Sequence, residues 1–362
     1  MPATTDTAAS APLHATAQAA PPAPSPLDPT DVADPITHFN VQTAATRWVF
    51  SLPPNPATAP PAHGLTLASL ADAIERMSLD TTRAADWVPR VPAVLPGLLR
   101  SLRNEHSSAH DLAHLIEQDV SLLAEALKEA NSALYQRGEK VNQTEDAVRL
   151  LGNQGLRMLI ARVAFRPVLG ADAGPLVQAG AAHTWALGEA CAQASRALAP
   201  ARGVDPFEAF LSGLALNIGQ LVALRMADRV AHLARQDAHG LGPRKVPVGE
   251  RADTTSDNQA AQDVAHVVAL LSHRVAARWE LPDNVVGTLT AQIDPMARFQ
   301  WPQAGELLSV AQEAARLKVL DEAGWLPAPL TDCWHHLPED ARHWLQQARQ
   351  APNAETADSA DN

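Results

Sequence analysis

The sequence predicts an all-α protein: apolar residues recur at helical spacing through most of its length, helix caps and helix-entry prolines punctuate it, and no run alternates convincingly in the manner of a strand. The chain has 362 residues, enough to bury a substantial core. Its composition is 46% hydrophobic but only 4% aromatic, with 29 prolines and a formal net charge of -12. Such an acidic balance repels a phosphate backbone, so nucleic acid is excluded as a first partner, and an anionic membrane surface is excluded for the same reason. The most apolar stretch, around Phe207 to Leu224, is interrupted by Asn217 and Gln220, so no membrane span is predicted. The first basic residue is Arg47, which leaves no basic leader in the N-terminal segment. Two cysteines, Cys191 and Cys333, make no disulfide framework, and a cytoplasmic location is expected.

Residues 1–35 alternate Ala, Pro, Ser, Thr and Asp and lack the apolar surface that would offset ordering entropy, so they are expected to be disordered. An accessory segment follows at 36–86. Phe39, Val41, Trp48, Val49 and Phe50 suggest a short packed element, and Leu67, Leu70, Ala71, Ile74 and Met77 mark a short helix. The main domain is expected at 87–321. Leu95, Leu98, Leu99 and Leu102 form the face of its first helix, entered through Pro92 and Pro96. Ser108 can cap a second helix with Leu112, Leu115 and Ile116, and Ser121 a third with Leu122, Leu123, Ala126, Leu127 and Ala130. Thr144, with Glu145 and Asp146 behind it, starts a fourth helix that ends near Gly152, and a fifth continues through Leu156, Leu159 and Val163.

A long helix carries Trp185, Leu187, Ala190, Cys191, Ala194 and Leu198. Asp205, Pro206 and Glu208 then supply a cap, a first-turn proline and the carboxylate of a capping box for the next. From Gln236 to Gln262 the sequence is polar and contains Gly and Pro, which reads as a long mobile loop. Helices are expected again at Val264–Trp279, Asp283–Ala291 and Gln303–Asp321. A helical segment at 322–350, with its last helix near Glu339–Gln350, and a polar tail at 351–362 complete the chain.

Several phrases together resemble the HDOD family, the HD-related output domains. Val88-Pro89-Arg90-Val91-Pro92 resembles that family's entry to its first helix, and Gln118-Asp119-Val120-Ser121-Leu122 its Asp-Pro-x-Leu step, with Val120 in place of proline. The most specific phrase is Ala130-Asn131-Ser132-Ala133 with Tyr135; Thr144 to Gly152 and Trp279-Glu280-Leu281-Pro282 are similar to later family signatures. The resemblance implies a compact multi-helix HD-like bundle in two lobes, about 87–167 and 174–321. Asn131, Ser132, Tyr135, Gly152, Gly219, Trp279 and Pro282 are expected to serve as motif or structural positions.

The HD enzymes that this family resembles hold divalent metals with a histidine, a His-Asp pair and further His or Asp ligands, because a hard cation and its activated water need imidazole and anionic oxygen at short range. By the resemblance, His183-Thr184 stands where the first histidine is expected, and Gly213-Leu214-Ala215-Leu216-Asn217-Ile218-Gly219 is similar to Gly-Leu-Leu-His-Asp-Ile-Gly. Leu216 has no lone pair, and Asn217 is neutral. Val268 and Gln292 fall near two further ligand positions, with His266 and His273 out of register. His183, Leu216 and Asn217 are therefore the candidates for a relic pocket, and no catalytic residue, metal or cofactor is expected.

Two histidine groups outside this pattern need an answer. His110-Asp111-Leu112-Ala113-His114 imitates a zinc signature, but its helix buries the opposite face. Cys333, His335, His336 and His343 fit no firm zinc spacing. The expected function is a non-catalytic bacterial signalling module that binds signalling proteins. A sensor of a nucleotide second messenger using the relic pocket, and a residual metal-dependent phosphohydrolase, are the alternatives.

Overall fold

The computed structural model describes residues 39–54, 66–79, 120–131, 141–165, 174–240 and 254–350, with isolated positions between 91 and 117. The described residues form helices and no strand. In chain order they are α1 (Val41–Val49), α2 (Leu67–Leu79), α3 (Val120–Ala130), α4 (Thr144–Phe165), α5 (Pro175–Leu198), α6 (Pro206–Gly240), α7 (Thr254–Arg278), α8 (Asp283–Ile293), α9 (Pro302–Glu322), α10 (Leu330–Cys333) and α11 (Glu339–Gln350). The expected disorder of 1–35, the family phrase at 88–92 apart from Val91, the motif residues Ser132 and Tyr135, and His110 with Asp111 all lie outside the described residues.

The centre of the fold is the pairing of α5 with α6, flanked by α7 on one side and α9 on the other. Close approach requires missing side chains. A Cβ on Gly213 would lie 2.6 Å from the Ala192 Cα, and one on Gly219 would collide with the Val268 carbonyl of α7. At that second crossing Ser272 Oγ donates to the carbonyls of Leu216 and Val268, while the Gly219 N–H donates to Ser272 Oγ at 3.1 Å.

The start signal read at Asp205 operates as expected, its carboxylate accepting from the N–H groups of Phe207 and Glu208 at 2.9 and 2.8 Å. Glu208 does not complete a capping box. Both of its carboxylate oxygens instead accept from Asn284 Nδ2, which ties α6 to α8. The segment Pro206–His232 of α6 has the length and apolarity of a membrane span, yet 94% of its most apolar window is buried within the fold. Its hydrophobic surface is consumed by α5, α7 and α4.

α3 and α4 pack together, α4 meets α6, and the Phe165 ring at the end of α4 stands edge-on to Trp279, just past α7, at 5.5 Å. The break expected at Gly152 is present: α4 is two helical parts joined across a kink where Gly152 adopts φ 64° and ψ 177°, a region that only glycine enters without strain. Asn131 closes the chain between α3 and α4. Its Nδ2 donates to the Leu127 and Val141 carbonyls and its Oδ1 accepts from the Val141 N–H, all at 2.8 Å.

The predicted loop at 236–262 is too long at both ends. α6 runs on to Gly240, and α7 begins at Thr254, ten residues before the expected Val264. Local composition misled the reading: Thr254, Thr255, Ser256, Asp257 and Asn258 have low helix propensity, and tertiary contacts described below supply what the local sequence lacks.

Candidate functional site

The candidate site lies where α4, α5 and α6 converge. Phe165 ends α4; Thr184, Trp185 and Gly188 face inward from α5; Leu214, Asn217, Ile218 and Leu221 come from α6. Together they line a cavity of about 30 Å³, room for roughly two water molecules. Its wall is almost entirely hydrocarbon. Thr184 is 3% exposed and donates its hydroxyl to the Gly180 carbonyl at 2.9 Å. Asn217 is buried, and its Nδ2 donates to the Gly213 carbonyl one turn back at 3.0 Å. That bond keeps the amide folded along its own helix.

Helical geometry decides which relic candidates meet. Thr184 and Gly188 are one turn apart on α5, so both face α6; His183 is rotated by about 100° from Thr184. His183 does not line the cavity. It turns towards α1, stacking on the Trp48 ring with centroids 4.3 Å apart, and its Nδ1 is 2.8 Å from the Trp48 carbonyl oxygen. Facing a carbonyl, Nδ1 must carry the proton. Burial lowers the His183 pKa, partly offset by that hydrogen bond. Leu216 is buried in the core and is also absent from the cavity wall. Of the three relic candidates only Asn217 lines it, and the residue that joins it from α5 is Thr184, one position beyond the histidine singled out in the sequence. Trp185, Phe165 and Gly188 were missed as well. Helical phasing from Gly188, which receives the Asn217 side chain, is the signal that could have found Thr184.

The other positions aligned with ligand sites have structural work. The Val268 carbonyl abuts Gly219, and Gln292 is engaged by α9, donating to the Gly305 carbonyl and accepting from Ser309 Oγ at 3.0 Å each. His266 is exposed, and His273 is half-buried with its pKa lowered by burial and by neighbouring Arg274. Arg162 could have offered charge to an anion but is paired with Glu189 at 2.8 Å. Cys191 lies beside the site, fully buried, and burial pushes its thiol up to about 12, so it is chemically inert at neutral pH.

Among the described residues no three His, Cys, Asp or Glu side chains converge as a metal site. His114 is exposed at the end of the imitation zinc phrase, while Ile116 of the same stretch is buried. In the C-terminal cluster Cys333 is buried towards the Ala328 carbonyl, His336 pairs with Glu313 at 3.4 Å, and His343 bonds Gln347. These side chains are engaged separately.

A helical body built on a glycine-bearing α5–α6 crossing, with a small cavity where α4 closes against it, is an HD-like all-α fold. Residues 88–295 match the model of the HDOD domain, and the chain belongs to that family. An uncharacterized protein of Treponema pallidum (strain Nichols) is 28% identical over 209 residues, 56% of this chain; the match spans 37% of that relative's length. Among solved structures, an HDOD domain protein of unknown function from Geobacter sulfurreducens is similar at a TM-score of 0.52 and 19% identity, covering 78% of this chain and 93% of its own. A provisionally named signal transduction protein from Marinobacter aquaeolei VT8 is similar at 0.51 and 18%, covering 82% and 66%. A Shewanella amazonensis SB2B protein provisionally named a phosphohydrolase has a TM-score of 0.49 at 23% identity, covering 77% of this chain and 87% of its own.

The divalent metal that HD enzymes use does not fit this site. Thr184 and Asn217 offer only neutral oxygens with no anionic or imidazole ligand beside them, Leu216 has no lone pair, and the surrounding wall is apolar.

Proposed function

We propose that this HDOD chain is a non-catalytic signal-transduction module that acts by binding other proteins. The observation that carries the reading is the cavity at the relic centre. It holds Asn217 of the three relic candidates and offers only the Thr184 hydroxyl and the Asn217 amide, in a space of about 30 Å³. Hydrolysis of a phosphate ester by this family's relatives would need a metal-held hydroxide or an equivalent general base, and neither neutral group can hold the one or act as the other. A nucleotide needs a pocket on the order of ten times larger, together with unpaired cationic groups. What remains is a well-packed helical body whose chemistry lies on its surface. The signalling name carried by the Marinobacter structure agrees with that reading.

A thermal-shift screen against cyclic dinucleotides, linear nucleotides and divalent metals tests it. A ligand held at a hundred times its Kd adds about 2.7 kcal/mol, a shift of a few degrees for a chain of this size. The proposal predicts a flat response. A reproducible shift abolished by Asn217→Leu or Thr184→Val would make the chain a small-molecule sensor instead.

A further inference from the structure

The polar start of α7 is helical in the structure although its own sequence disfavours a helix, and the contacts that compensate come in large part from α1. Arg47, 5% exposed, pairs through Nη1 with Asp257 Oδ2 at 2.6 Å, and Asp257 is itself 6% exposed. One turn earlier on α1, Thr43 Oγ1 donates to Asn258 Oδ1 at 2.6 Å, and Gln42 Nε2 donates to the Ala261 carbonyl at 3.1 Å. Three side chains on one face of a nine-residue helix thus engage three positions within five residues of α7. A helix as short as α1 has no stability of its own in water. The stretch Thr254-Thr255-Ser256-Asp257-Asn258 is equally poor, because its short polar side chains compete for backbone groups. Neither element is helical for local reasons.

We infer that α1 and the first turns of α7 form a conformational clasp: docking of α1 is what holds residues 254–262 helical, so the two order and disorder together. The ion pair makes the coupling sharp. Burying Arg47 without Asp257, or Asp257 without Arg47, strands a charge in the interior, so a half-formed clasp is disfavoured. Elsewhere α1 is held to α5 by ring stacking, close packing and one hydrogen bond, from His183 Nδ1 to the Trp48 carbonyl at 2.8 Å. Trp48 stacks on His183, and the Val49 carbonyl sits over Gly180, where any Cβ would collide. The side-chain ties to α7 thus add to a separate attachment of α1 on α5. α1 lies outside the residues that match the family model, whereas α7 lies inside them. The clasp thus gives an N-terminal element a direct mechanical hold on the family domain.

Hydrogen exchange of the full chain tests the coupling in both directions. The variant Thr43→Val removes one tie without stranding a charge, and Arg47→Leu removes the central one. Amides of residues 258–262 are expected to exchange at least tenfold faster in Arg47→Leu and by a smaller factor in Thr43→Val, while α8 and α9 keep their protection. Coupling is reciprocal, so Asp257→Asn must accelerate exchange in α1. Faster exchange in α1 with 258–262 unchanged would overturn the inference, as would acceleration spread evenly over α8 and α9. If Arg47→Leu fails to fold, Thr43→Val and Asp257→Asn decide.

Discussion

Single side chains in this protein close contacts between elements that are separate in sequence. Asn131 satisfies both backbone groups of Val141 as well as the Leu127 carbonyl. Asn131→Ala removes these partners from the N–H and carbonyl of Val141, while the Leu127 carbonyl keeps the backbone N–H of residue 131, and denaturant unfolding is expected to show a loss of about 2 kcal/mol. Asn131→Asp keeps the acceptor but loses both donors and sets a carboxylate against two carbonyls, so it is expected to be no more stable than the alanine variant. Asp228 has a similar role at longer range. It accepts from the Leu176 and Val177 N–H groups at 2.7 and 3.0 Å and so caps α5 from within α6. The family phrase pointed to Asn131. Nothing near Asp228 in the sequence shows that it caps a helix begun 53 residues earlier, because cap and helix meet only through the α5–α6 pairing. His183 shows the finest limit of the sequence reading: a shift of one residue on a helix turns a side chain from the cavity to the opposite helix.

At the scale of elements, the helices that could be read were those whose caps and apolar stripe agree. α6 is marked by Asp205 and Pro206, and the two parts of α4 by Thr144 and Gly152. The start of α7 could not be read because its stabilising partner is α1, more than 200 positions away in the chain. The end of α7 carries a detail that the Trp-x-Leu-Pro phrase conceals. Glu280 takes φ 54°, the left-handed conformation in which the helix closes, with the Leu281 N–H donating to the Ala276 carbonyl at 3.1 Å. A side chain there carries strain that glycine does not. Glu280→Gly is expected to raise stability by about 0.5–1 kcal/mol in equilibrium unfolding; a loss would mean that the exposed Glu280 side chain makes a compensating contact.

For the molecule as a whole, protonation gives a stability profile whose sign follows from burial. His183 and His273 both have folded pKa values below the ordinary histidine value because burial disfavours the cation. Their unfolded forms therefore take up protons first. Stability from these groups is present above about pH 6.5 and is lost as pH falls through their folded values. Melting temperature should decline over that range, and His183→Gln should flatten the decline relative to wild type. Equal slopes for the two proteins would show that His183 does not titrate there. At the same scale, the all-helical class was legible because burial periodicity survives in any single sequence. The real composition of the cavity was not, because it depends on the relative rotation of α5 and α6.

The most direct test of the central claim is metal content and turnover of the full chain after loading with manganese or iron, using a generic phosphodiester substrate. Metal well below one equivalent per chain and no hydrolysis above a heat-denatured control is the predicted result. Stoichiometric metal with turnover that Asn217→Ala or Thr184→Ala abolishes would contradict it and make the cavity a working phosphohydrolase site.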